Sequence, residues 1–297
     1  MPRLLAAVCL LALAGLIGPS LHSDGLGHGQ VQLSGNASSA SDSQGGRSPV
    51  LAAGGDLLAE LEMVRQGNVT DLYVSNRLAG PVQVELRQYN VVDAEFLPAL
   101  PLQQVLPAGT RQLISRIQFH SPTARYHVVL SGTPGDPKVV IRDVSYSLPI
   151  DEQSDWHLGQ GFHGGYSHDD LPNRYAVDLV APEGSAVLAA RNGIVMQTED
   201  GFFEHGADRR KYADRANLIR ILHDDGSMGL YAHLRAGGVL VRTGERVELG
   251  QHIGYSGNTG YSTGPHLHFA VQINNGMKLV SIPFRMVGPD GYLPLPR

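Results

Sequence analysis

The densest reactive chemistry in this sequence lies in the run Gly264-Pro265-His266-Leu267-His268-Phe269-Ala270-Val271. Successive side chains of a strand face opposite ways, so His266 and His268 share one face while Leu267, Phe269 and Val271 turn toward a core on the other. Two imidazoles side by side on a rigid element can ligate a metal or move protons. Taken alone, His-x-His is a weak pattern. Three other segments add to it. Asn173-Arg174-Tyr175-Ala176-Val177-Asp178-Leu179 sets a carboxylate among apolar residues, directly before the turn sequence Ala181-Pro182-Glu183-Gly184. Gly229-Leu230-Tyr231-Ala232-His233-Leu234 sets a histidine between hydrophobic neighbours, and Gly161 to Asp170 is a glycine- and histidine-rich loop containing His163 and His168. A buried acid needs a charged partner, and a buried histidine needs a hydrogen-bond partner or a role.

The elements that must position these groups follow from the rest of the chain. It has 297 residues, 42% hydrophobic and 17% charged, with 23 Lys+Arg against 28 Asp+Glu for a formal charge of −5. Such a length predicts two domains at about 100–200 residues each. The mildly acidic balance, with no basic run longer than Arg209-Arg210-Lys211, offers no footprint for nucleic acid or anionic lipid. The 36 glycines imply many tight turns, and 13 histidines exceed what packing needs.

Met1-Pro2-Arg3, an apolar run of 14 residues from Leu4 to Ile17, and Gly18-Pro19-Ser20 read as a signal peptide over residues 1–20. The run falls short of the roughly 20 residues of a spanning helix, so the mature chain is expected to be exported with no membrane span. Cys9, the only cysteine, lies within it. A mature chain without thiols would hold any metal through nitrogen and oxygen. Residues 21–48, rich in Gly, Ser, Asn and Gln, read as a flexible linker. Residues 49–150 show short period-two runs, with Leu72 and Val74, then Val82, Val84 and Leu86 set against Gln83, Glu85 and Arg87, followed by Tyr126 to Leu130 and Val139 to Ile141. They predict a small antiparallel β-sandwich in which His120 and His127 serve at the surface or in packing. Residues 151–297 carry the chemistry.

The segment His168 through Gly184, Tyr-Ala-His-Leu at 231–234 and Ser-Thr-Gly-Pro-His-Leu-His-Phe at 262–269 resemble the lysostaphin-type, LytM-domain zinc metallopeptidases over about residues 156–285. That resemblance implies an antiparallel β domain with a groove floored by its sheet, hence an all-β, two-domain chain. It also implies one zinc per chain, bound by a histidine, Asp178 and His268, with His233 and His266 as the catalytic pair. The family's commonest form has its first histidine four residues before the aspartate, and that position is Arg174 here. In the form with a Tyr-Ala-x-Asp aspartate the histidine sits on a longer loop, and Tyr166-Ser167-His168 fits that form. His168 is therefore the first-ligand choice and His163 the reserve. His157, His205, His223 and His252 lie outside the motifs and suit exposed or packing positions. The charged stretch Glu199 to Arg215 is either a solvated loop or one wall of the groove.

Two imidazoles and one carboxylate leave zinc with a net charge of +1 and an open position for water, a catalytic rather than a closed structural set. The implied function is an exported metalloendopeptidase, periplasmic or extracellular, that cuts peptide stems or cross-bridges of bacterial peptidoglycan. The alternative is a non-catalytic LytM-type activator of cell-wall amidases.

Overall fold

The computed structural model describes residues 29–37, 46–51 and 57–295. The signal peptide read over 1–20, with Cys9, lies outside the described residues. Among the described residues the first half has nine strands: β1 (Gly29–Asn36), β2 (Gly46–Leu51), β3 (Leu57–Gln66), β4 (Val69–Asn76), β5 (Val82–Val92), β6 (Ala94–Leu97), β7 (Leu102–Leu106), β8 (Arg111–Phe119) and β9 (Arg125–Pro134). They form two antiparallel sheets, ordered β1-β9-β5-β7 and β2-β3-β4-β8-β6. Leu72, Val74, Val84, Leu86, Ile117 and Leu130 from both sheets bury their side chains in one shared core. This is the sandwich that the period-two runs predict.

Three details of this half depart from the expectation. Residues 46–48 open β2, and residues 29–36, also assigned to the linker, are strand β1 along the edge of β9. Gln30-Val31-Gln32-Leu33 already alternates in the strand period, and Val31 is 1% exposed once the core receives it. The Gly/Ser composition around this run hid a strand that only a long-range partner completes. Gln83, read as outward-facing, is buried because it meets the second half of the chain.

That second half adds β10 (Ser145–Ser147), β11 (His157–Gln160), β12 (Ala176–Val180), β13 (Ala186–Leu188), β14 (Gly193–Glu199), β15 (His205–Gly206), α1 (Arg209–Tyr212), β16 (Asn217–Leu222), β17 (Met228–Val239), β18 (Arg246–Val247), β19 (His252–Ser256), β20 (Gly260–Tyr261), β21 (His266–Asn274), β22 (Leu279–Ser281), β23 (Arg285–Gly288) and β24 (Gly291–Tyr292). Its main sheet runs β11-β12-β21-β17-β16-β14-β18 and is antiparallel throughout that order. Val177, Leu179, Tyr231, Leu267 and Phe269 pack on one face with Phe284 and Met286. Tyr146, Leu148 and Ile150, counted with the first module in the sequence reading, pack into this second core, and β10 pairs with β23. Among the described residues no helix is long and apolar enough to cross a membrane.

The halves meet at the end of β21 away from its histidines. Asn274 Nδ2 donates to Gln83 Oε1 at 3.0 Å and to Gly135 O at 2.9 Å, and Met277 N donates to Gln83 Oε1 at 2.9 Å. Met196, Met228 and Leu279 complete the first half's core. At about 3.3 Å per residue this junction stands roughly 20 Å along the strand from His268.

His223, in the turn between β16 and β17, is one of the histidines outside the motifs and is 3% exposed. Its Nδ1 donates to Asn192 O at 2.8 Å, while Nε2 has no hydrogen-bond partner. Burial pushes its pKa down to about 4. Below about pH 6.5 the unfolded chain therefore binds a proton that the folded chain refuses, and stability falls as pH drops toward 4. Between pH 7 and 4.5 this group alone should remove about 2–3 kcal/mol. Urea unfolding at those two pH values should show a smaller acid loss for His223→Asn, which keeps a donor toward Asn192 O, than for wild type. Equal losses would refute the assignment.

Candidate metal centre

Three strands bring the site together through their register. In the β12–β21 pair Asp178 lies opposite His268, and in the β17–β21 pair Ala232 lies opposite the same residue. Asp178, His266 and His268 therefore occupy one face, and Val177, Leu179, Leu267 and Phe269 the core face, as strand alternation requires. Ala176, Ala232 and Ala270 surround His268 on its own face and keep the floor low.

His233 reaches this face through a bulge. Asn217 pairs with Leu234 and Leu218 with Ala232, so His233 is the extra residue of β17, with φ at 63°. A left-handed conformation is uncommon for a residue with a Cβ, and bulges of this kind re-aim a side chain. The turn that receives it is pressed against the strand. A Cβ on Gly257 would lie 2.4 Å from Arg235 N, so only glycine allows Thr259 to approach.

Each of the four imidazoles has one nitrogen committed to a fixed oxygen. His168 Nδ1 donates to Gly161 O at 2.7 Å, His233 Nδ1 to Thr259 O at 2.6 Å and His266 Nδ1 to Gly264 O at 2.9 Å. His268 Nε2 donates to Asn173 Oδ1 at 3.1 Å. A carbonyl oxygen can only accept, so in neutral rings the opposite nitrogens carry lone pairs. His168 Nε2 and His268 Nδ1 lie 3.1 and 2.9 Å from the same Asp178 Oδ1, and His266 Nε2 lies 3.8 Å from it. The His233 ring centroid is 4.7 Å from that of His266 and 5.7 Å from that of His268.

Three lone-pair atoms pressed together repel unless they share a cation. One metal ion could satisfy His168, Asp178 and His268 at once, since one nitrogen or oxygen from each lies within 4.8 Å of the others. Tetrahedral ligands about 2.0–2.2 Å from zinc stand about 3.4 Å apart, within about half an ångström of the 3.1 and 2.9 Å that separate the two imidazole nitrogens from Asp178 Oδ1. Nitrogen and oxygen donors, two of them neutral imidazoles, suit zinc. In the metal-free chain, where a proton on His168 or His268 can take the place of the cation, hydrogen bonds from those rings outweigh the burial that would raise the Asp178 pKa and hold the carboxyl well below the ordinary range. Burial pushes His268 down, with Asp178 offsetting only part of it. Burial, aided by His266 and His268, lowers His233 to about 3, so that ring is neutral near pH 7.

The loop carrying His168 folds over the cluster. His168 is 1% exposed, whereas His163, the reserve ligand, stacks edge-on against Tyr175 with centroids 4.9 Å apart and lies outside the ligand cluster. The charged stretch from Glu199 forms a wall. Arg209 of α1 donates to Asp169 at 3.1 Å and to Asp170 at 2.6 Å. Tyr166 and Tyr261 stack nearly parallel with centroids 5.5 Å apart. A cavity of about 40 Å³ remains beside His233 and His268, lined also by Asn173, Arg209 and Tyr261.

Several participants escaped the sequence reading. Gln160 Nε2 donates to Asp178 Oδ2 at 3.0 Å, fixing the second carboxylate oxygen. Asn173 stands inside a run singled out for Asp178, but nothing in its spacing announces a bond to His268, 95 residues away. The Thr259 and Gly264 carbonyls leave no trace in residue type at all.

An antiparallel sheet with a His/Asp/His cluster and two further imidazoles at its rim has the layout of a metallopeptidase domain. Residues 172–279 match peptidase family M23 and form a peptidase M23, or LytM, domain. The matched stretch takes in Asp178, His233, His266 and His268 and begins after His168. The chain is 33% identical over 138 residues to the peptidoglycan DD-endopeptidase ShyA of Vibrio cholerae, covering 44% of this chain and 28% of that one. It is 36% identical over 118 residues to the glycyl-glycine endopeptidase ALE-1 of Staphylococcus capitis, covering 37% and 29%. The solved catalytic domain of lysostaphin from Staphylococcus simulans is 29% identical, covering 45% of this chain and 94% of that one, with a TM-score of 0.32. The chain thus spans under a third of the length of these two curated relatives.

Proposed function

We propose that this chain is an exported zinc metalloendopeptidase that hydrolyses peptide bonds in the stems or cross-bridges of bacterial peptidoglycan. The observation that carries the reading is the convergence of His168 Nε2, His268 Nδ1 and the Asp178 carboxylate beside two further imidazoles whose N–H groups are already committed. The M23 match and the peptidoglycan endopeptidase named among the relatives support the substrate class. The signal-like amino end supports export.

In this reading His168, Asp178 and His268 hold one zinc. Bound there, zinc supplies Lewis acidity toward a peptide carbonyl and lowers the pKa of water to about 7. His233 and His266 do the proton work. Each presents a bare Nε2, so each can accept a proton from the attacking water and then donate it from the same atom to developing charge or the leaving amine. Burial keeps His233 neutral near pH 7. Asp178 is held ionised by the histidine protons in the metal-free chain, and a cation at the same place would do the same, which preserves the single negative charge of the ligand set.

Metal analysis of the purified chain paired with digestion of isolated peptidoglycan tests the proposal. One zinc per chain and release of new amino termini are expected, both lost on chelation. Bound zinc without hydrolysis of any wall preparation would transfer the reading to a non-catalytic activator of amidases.

A further inference from the structure

We propose that Asn173 is a positioning residue for His268, fixing that ring with Nδ1 toward the metal, and that Asp170 holds Asn173 in this role. The inference rests on the metallopeptidase reading above. An imidazole presents a lone pair at one nitrogen only when the other carries the proton. The other three site histidines have that proton fixed by main-chain carbonyls, which cannot turn over. His268 lies within β21, whose neighbouring backbone groups are engaged with β12 and β17, so its proton must be received by a side chain. Asn173 Oδ1 accepts it at 3.1 Å, in a residue 4% exposed.

An asparagine amide can flip. Turned over, it would present Nδ2 to His268 Nε2, drive the proton to Nδ1 and make a hydrogen-bond donor of the ligand atom. Asp170 prevents this. Its Oδ1 accepts from both the backbone N–H of Asn173, at 3.0 Å, and the side-chain Nδ2, at 2.8 Å, so Oδ1 of the amide must face His268. The other oxygen of Asp170 accepts from Arg209, which fixes the carboxylate in turn. The sequence Arg209, Asp170, Asn173, His268 is a continuous set of bonds from the groove wall to the metal ligand. Hydrogen-bonded partners of this kind set the tautomer and orientation of ligating histidines.

The test uses the full chain and measures zinc affinity by competition with a chromophoric chelator, with the cobalt(II) absorption spectrum as a second readout. Asn173→Ala and the nearly isosteric Asn173→Leu are each expected to weaken zinc binding by about 10–100-fold and to alter the cobalt spectrum. Asp170→Ala, which leaves the Asn173 amide free to turn over, is expected to weaken zinc binding in the same direction and by less than Asn173→Ala. A purely structural role would lower the unfolding temperature and leave metal affinity unmoved. Wild-type zinc affinity in either folded Asn173 variant overturns the assignment of Asn173 alone. A wild-type chain that holds no zinc overturns the metallopeptidase reading, and this assignment with it.

Discussion

His233→Ala and His266→Ala are each expected to lower peptidoglycan-peptide hydrolysis by about 10²–10⁴-fold, the usual cost of losing one general acid–base group. Zinc content should stay at one per chain in both. The atoms placed to hold a metal belong to His168, Asp178 and His268, and neither replaced ring is among them. The separation of the two readouts is what matters, because interactions that act on protons in the transition state contribute little to ground-state metal binding. The double variant should lose less than the product of the single losses, since the rings stand with centroids 4.7 Å apart and can act as a unit. The wild-type rate should fall on the acid side of about pH 7, below which water held by the metal keeps its proton, while His233, lowered to about 3, stays neutral. Full activity in both single variants would sink this assignment of roles.

His168→Ala is expected to abolish zinc retention after dialysis, and with it all hydrolysis, while His163→Ala retains both. The loop places His168 Nε2 3.1 Å from Asp178 Oδ1 and leaves His163 against Tyr175. Stability offers an independent readout. A ligand that binds only the folded state at 100 times its Kd adds about 2.7 kcal/mol, so zinc should raise the unfolding temperature of wild type and of His163→Ala but not of His168→Ala. Zinc retained by His168→Ala and lost by His163→Ala would instead assign the first ligand position to His163.

These two tests bear on parts of the site that were unequally legible in the sequence. His266 and His268 declare their shared face through alternation with Leu267 and Phe269, and that inference needs nothing beyond the period of a strand. Asp178 stood out as a carboxylate in an apolar run, and the burial of Val177 and Leu179 in the structure fixes which way it points. The first half was read as a sandwich from similar alternation. Its edge strand β1 was missed, because an edge run with Gly and Ser around it has no local signal strong enough to outweigh composition, and its stability comes from β9.

The sequence by itself determined the all-β class, the alternation that sorts site face from core face, and the residue types able to ligate a metal. These are consequences of backbone period and side-chain chemistry, both local. Only the tertiary structure decided which loop histidine joins the cluster, since His163 and His168 differ by the path of the chain and not by kind. It also decided the proton positions. Register sets Asp178 against His268, a bulge at His233 turns its ring, and the oxygens of Gly161, Asn173, Thr259 and Gly264 each take one N–H, leaving the opposite lone pairs facing the site. Hydrogen bonds depend on where distant segments meet within a few tenths of an ångström, and no pattern of residue types along the chain carries that information.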